Sequence, residues 1–149
     1  MTNQPIKVVI IAADFHQMIA DNMIKAAKQE LTNYRANLLK TIRVPGSYEI
    51  PLAVQTIIQQ IKPDCLVVLG YIERGYTTHG EVMGHVVLQA LVSLQLKYNL
   101  PIGLGIIGPG ATLKQAKARW ESTAQGAVRA ALASHNLLSA QPIRDIIKE

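Results

Sequence analysis

Cysteine is nearly absent. Cys65 stands alone among 149 residues, which excludes an internal disulfide and argues against a zinc cluster. It lies in the apolar run DCLVVLG, where a buried, inert thiol is expected. Aromatic residues are scarce too, at 5% of the chain with one Phe and one Trp, so the core must be built from Ile, Leu, Val and Ala. No apolar run reaches the about 18 residues of a membrane span. The opening MTNQPIKVVIIAAD lacks the shape of a signal peptide, so a cytoplasmic protein with no membrane partner is expected. Charged residues make up only 17%, against 49% apolar, the balance of a globular chain and not a disordered one. The length suits one domain over residues 1–149. Although the net charge is +5, the basic residues are spread from Lys7 to Lys148 without a dense block. That pattern argues against a nucleic-acid partner and fits a small anionic substrate.

What the chain does have is alternation. Continuous apolar runs at residues 7–13, 65–70 and 102–107, with a more alternating one at 37–44, read as strands. Segments of helical period fill 17–33, 49–61, 81–98 and 111–134, with Pro51 tolerated in a first turn and Gly126 a weak point in the last helix. Gly108-Pro109-Gly110 reads as a loop, and Ile143, Ile146 and Ile147 suggest a short docked turn in the tail. Strand-helix repetition predicts an α/β fold: a four-stranded parallel sheet with right-handed crossovers and helices on both faces, in three α/β/α layers. Ligands of such sheets sit beyond the carboxyl ends of the strands. That rule selects the loops ADFHQ, VPGSYE, GYIERGYTTHGE and GPGAT.

The densest polar stretch is RGYTTHGEVMGH, Arg74 to His85. A metal site fits it poorly. His79 and His85 are six apart, so on a helix they point about 120° from each other, and no third ligand is evident. His85 is better read as a helix residue packed among Val86, Leu88 and Gln89. A glycine, two threonines and a helix start after an apolar strand suit an anion, because free amides at a helix N-terminus and Thr hydroxyls donate together. The plainer reading, a Thr78 cap completed by Glu81 as a capping box, is compatible with it. GLGIIG, Gly103 to Gly108, matches a dinucleotide motif by letter only. Its glycines fall inside a strand, where close backbone packing explains them. A phosphate-receiver domain would need acidic pairs after the first strand and an Asp ending the third. A flavodoxin would need a Ser/Thr-rich first loop. Neither is present.

VPGSYEIPLA, GYIERGYTTHGEV and KQAKAR resemble, in order and spacing, three motif regions of the lumazine synthase family, a likeness extending from Lys7 to about Leu132. The resemblance implies a flavodoxin-like α/β/α domain and a condensation of an amino-ribitylamino-pyrimidinedione with 3,4-dihydroxy-2-butanone 4-phosphate. Phosphate and water leave, and the product is 6,7-dimethyl-8-ribityllumazine. It implies no metal or redox cofactor. By position it places Phe15 on the pyrimidine ring, and Ser47 and Glu49 at the ribityl chain with Tyr48 between them. Ile72 and Glu73 hold the pyrimidine edge through their backbone, Thr77 and Thr78 lie at the phosphate, and His79 transfers protons. Arg119 reaches the phosphate from a neighbouring subunit. Members form pentamers with sites between subunits, and some build larger shells; here a pentamer or a pair of pentamers is expected.

The resemblance is weaker on the neighbour's side. Leu104 stands where the family usually has a Phe, and Gly108-Pro109-Gly110 replaces a Thr-Thr-Glu loop. Gln125 and Val128 take the places of a lysine and of an acid that orients the histidine, and Glu73 replaces an aliphatic residue. These departures leave as the main alternative a diverged protein of the same fold that binds a lumazine or flavin and catalyses weakly; an archaeal-type riboflavin synthase of the same fold fits less well, because RGYTTH resembles the lumazine enzyme.

Overall fold

The computed structural model describes residues 4–140. Ile143, Ile146 and Ile147 lie outside them. Four parallel strands, β1 (Lys7–Ala13), β2 (Asn37–Val44), β3 (Cys65–Glu73) and β4 (Ile102–Ala111), form one sheet in the order β2-β1-β3-β4. Between and after them run helices α1 (Gln17–Asn33), α2 (Ile50–Gln60), α3 (His79–Tyr98) and α4 (Leu113–Ser139). The expected three-layer α/β/α architecture is therefore the one observed. None of the described helices is long and apolar enough to cross a membrane.

The continuous apolar strands follow from burial on both faces. Along β1, Val8, Ile10 and Ala12 pack in the cluster formed with α1 and α4, while Val9, Ile11 and Ala13 pack with α2 and α3. Such a strand has no solvent face, so no polar residue interrupts it. On one side of the sheet α1 and α4 are also joined by a charged pair. The buried Glu30 carboxylate accepts a 2.7 Å bond from Arg129 Nε, fixing how α4 lies on the sheet.

Several boundaries differ from the sequence reading. The turn Ser47–Glu49 is 3-10, and α2 begins only at Ile50, with Pro51 in its first turn as expected. Helix α3 starts at His79, two residues early. Helix α4 starts after Thr112, whose hydroxyl accepts from the Gln115 N–H while the Gln115 side chain accepts from the Thr112 N–H. This reciprocal cap satisfies two donors at once. The helix runs through Gly126 without a break and on to Ser139, because Gly126 faces solvent and its neighbours Ala127 and Val128 are held in the core.

Gly108-Pro109-Gly110 is not a free loop; it remains within β4. The register shifts there so that Glu73 pairs with Ala111, leaving the extra residues to bulge out. Gly108 has φ +93° with its backbone pressed against the Ile72 carbonyl, a geometry that a side chain would obstruct.

The close-packing explanation of GLGIIG is borne out. A Cβ on Gly103 would run into the backbone carbonyl of Ala127 in α4, and one on Gly105 would stand 2.8 Å from Leu69 Cδ2. Because the obstacle at Gly103 is backbone, it cannot rotate away. Gly103→Ala is expected to destabilise the fold by about 3 kcal/mol, read from the midpoint of urea unfolding. A second expectation concerns Cys65, fully buried at the start of β3. Burial, aided by the adjacent Asp64 charge, pushes its thiol up to about 12. Almost no thiolate then exists near neutrality, so Cys65 should resist alkylation in the native protein and react fully once unfolded in denaturant. Rapid alkylation of the native form would contradict this burial.

Candidate active site

The carboxyl ends of the four strands converge on one edge of the sheet. The turn after β1 is tied down there, since the Asp14 N–H donates to the Val44 carbonyl at 2.8 Å. Arg43 bridges Asp14 and Asp21 at 2.8 and 2.7 Å. From this braced turn the Phe15 ring projects outward, 73% exposed. The end of β3 is held to β4 twice, as the Arg74 N–H and the Tyr71 hydroxyl both donate to the Ala111 carbonyl at 2.9 Å. Burial, with the Glu73 charge behind it, raises the Tyr71 phenol above its ordinary value, so it remains a donor at neutral pH.

Between these loops lies a cavity of about 290 Å³ whose walls include Phe15, Ser47, Ile72, Glu73, Thr77 and His79. Six of the residues expected to contact a ligand are thus brought together. Adjoining it is a cleft of about 310 Å³ lined by Arg74, Gly75, Thr77, Thr78, Glu81 and Pro109, among others. Glu73, Gly75, Thr77 and Gly80 line both, so the two spaces adjoin. The Thr77 hydroxyl accepts from the His79 N–H at 3.3 Å. Thr78 occupies the N-cap position, but its side chain makes no cap bond, and the expected Thr78–Glu81 capping box does not form. Thr78 and the first-turn residues Gly80 and Glu81 line the cleft.

Other expected residues fall elsewhere. Tyr48 is half-exposed beside His79, with ring centroids 6.0 Å apart and the rings edge to face. Glu49 is exposed and lies against Gly46, outside the cavity wall. Leu104 is partly buried against the α2–α3 side of the core and does not reach the cavity. Arg119 is exposed in a separate cleft of about 430 Å³, with Gln115, Thr123 and Gly108 to Gly110. Pro109 and Gly110 border both this cleft and the threonine cleft. Within one chain, then, the arginine and the histidine do not share a cavity. Val128 is fully buried in the α1–α4 core, and Gln125 is half-buried beside it. His85 does not pack among its neighbours; it is exposed, because the buried face of α3 is carried by Gly84, Val87 and Leu91.

The sequence reading missed Tyr71 and Met83, which line the cavity, and His16, which contacts Glu73. Tyr71 was recoverable, since the strand continues three residues past Gly70 and alternation turns it toward the wall. The His16–Glu73 contact joins positions 57 apart and leaves no local pattern.

A cavity at the carboxyl edge of a parallel sheet, walled by loops from three successive strands, is where α/β proteins of this class hold small molecules. The particular family follows from comparison with known proteins. The model of the 6,7-dimethyl-8-ribityllumazine synthase family matches residues 5–139. A 6,7-dimethyl-8-ribityllumazine synthase of Metallosphaera sedula is 38% identical over 132 residues, covering 89% of this chain and 87% of that protein. One of Staphylothermus marinus is 36% identical over 124 residues, covering 83% of each. The chain belongs to the 6,7-dimethyl-8-ribityllumazine synthase family.

Proposed function

We propose that the chain is a 6,7-dimethyl-8-ribityllumazine synthase whose complete site forms between two subunits. The observation that carries this reading is the convergence of Phe15, Ser47, Ile72, Thr77 and His79 on one cavity that adjoins a threonine-lined cleft. Relatives named as synthases over most of the chain favour it over a weakly active flavin binder.

The pyrimidine occupies the cavity against Phe15, with its polar edge on the backbone of Ile72 and Glu73. Its ribityl chain runs toward Ser47 and Glu49. The butanone phosphate places its phosphate in the cleft, on Thr77, Thr78 and the first turn of α3, where the helix dipole favours a dianion. The reaction condenses an amine with a ketone to an imine, eliminates phosphate and closes a ring. Each step moves protons but needs no electron carrier. Holding both substrates together supplies much of the rate, because a bimolecular encounter becomes an intramolecular one. His79, on the cavity wall between the cleft residues Thr78 and Gly80 in the chain, relays protons between the condensing amine and the departing groups.

Arg119 and Leu104 complete the site from the neighbouring subunit. Two features support this assembly. Arg119 lies outside its own chain's cavity, and α3 exposes an apolar face that includes Val82, Val86 and Leu96. A closed ring of five chains buries such a face and repeats the composite site at each interface. Light scattering should accordingly give five or ten times the 16.3 kDa chain mass. A monomer or a very large shell would contradict it. The activity itself is tested by following the visible absorbance of the lumazine after mixing purified protein with both substrates. Formation above the protein-free rate is expected, and a rate equal to that background would overturn the reading.

A further inference from the structure

His16 is an odd choice for its place in the chain. It is the N-cap of α1, where Ser, Thr, Asp or Asn would satisfy a free amide, yet its side chain makes no cap bond. Instead the imidazole turns away from the helix. Its Nε2 lies 3.1 Å from Glu73 Oε2, and its ring stacks at a tilt on Tyr71 with centroids 4.8 Å apart. On its other side the Phe15 ring meets it edge to face at 5.2 Å. Tyr71 is in turn pinned to β4 through its hydroxyl. Glu73 lines the cavity and its carboxylate also meets His16. Local helix stability is given up for a contact that joins the first loop to the end of β3.

We propose that the His16–Glu73 pair is a positioning device: it fixes the imidazole as a backstop that sets the Phe15 ring over the cavity, and thereby sets affinity for the pyrimidine substrate. Phe15 is mostly exposed and, without that edge contact, free to change rotamer. An aromatic ring that must be ordered on binding holds its ligand less well than one already in place. The carboxylate matters because it fixes the plane of the imidazole, which neither stacking contact alone would do. This inference rests on the synthase reading only for its consequence, not for its geometry.

Phe15 is the single phenylalanine of the chain, which permits a direct test. Protein grown with 4-fluorophenylalanine carries one fluorine resonance, a report on this ring alone. His16→Ala and Glu73→Ala should both move that resonance toward the position of a freely rotating exposed ring. Glu73→Gln, which keeps an oxygen acceptor, should move it less. In steady-state assays the two alanine variants should raise KM for the pyrimidine by about tenfold while kcat and KM for the butanone phosphate change by no more than about twofold. The double variant should be no worse than either single one, because both remove the same contact. A resonance unmoved by either alanine substitution would overturn the proposal, as would a fall in kcat at constant KM, which would make the pair a proton relay. Absence of turnover in the wild type would instead overturn the synthase reading and the consequence drawn for KM, while the fluorine spectrum would still decide the positioning itself.

Discussion

His79→Ala will lower kcat by about 100-fold while leaving both KM values within about threefold of the wild type. His79 is the first residue of α3, its N–H is held by the Thr77 hydroxyl, and it stands on the cavity wall between the cleft residues Thr78 and Gly80 in the chain. A proton donor and acceptor there acts on bonds that change only during reaction, so its loss falls on kcat and not on binding. The magnitude is set at the lower end of ordinary acid–base catalysis for a reason visible in the site. Among the described residues, the imidazole hydrogen bonds to carboxylates include His16 with Glu73 but none to His79, whose ring lies edge to face with Tyr48 at 6.0 Å. An imidazole without an orienting acid spends less time aligned. Steady-state kinetics with each substrate varied separately checks the expectation. A loss below about threefold in kcat would remove His79 from the chemistry.

Arg119→Ala will reduce kcat/KM for the butanone phosphate by about 30- to 100-fold, with the KM for the pyrimidine little changed. A guanidinium fork on a phosphate makes two charge-assisted hydrogen bonds, and losing them costs about 2–3 kcal/mol when the neighbouring anion stays in place. Lysine should restore only part of this, since its ammonium is a point charge that cannot match two phosphate oxygens at once. The effect must appear even though Arg119 lies in a different cleft of its own chain from His79. That separation is the structural reason for assigning it to a neighbour. If the arginine were merely a solvated helix residue, its removal would leave all three constants unchanged.

The fold was largely legible in the sequence because strands buried on both faces have a simple signal. KVVIIAA carries no polar residue after Lys7, and each of its apolar side chains belongs to one of the two core clusters. The helix starts were read less well. The Thr112–Gln115 cap was present as T-x-x-Q, but the preceding Gly-Pro-Gly suggested a loop and drew attention away from it. The bulge that keeps those residues in β4 depends on pairing with β3, which no local pattern reveals. Within the site, the cavity residues came from short motifs at strand ends and were placed together as expected. Tyr48, Glu49, Leu104 and Arg119 do not line that cavity, and a contact supplied by a second chain, as proposed for Leu104 and Arg119, could not be seen within one. The His16–Glu73 contact was invisible for a similar reason, since its partners meet only when β1 and β3 lie side by side.

The central claim, that one chain supplies His79 and its neighbour Arg119 to the same reaction, is tested most directly by mixing two inactive proteins. His79→Ala and Arg119→Ala chains would be unfolded together in equal amounts and refolded, and lumazine formation followed by its visible absorbance. With random mixing in a ring, roughly a quarter of the interfaces pair an intact His79 with an intact Arg119 across the boundary. The account predicts recovery of roughly a quarter of the wild-type rate, far above either variant refolded alone. A mixture no more active than the better of the two variants would show that both residues act within one chain, or that one of them does not act at all.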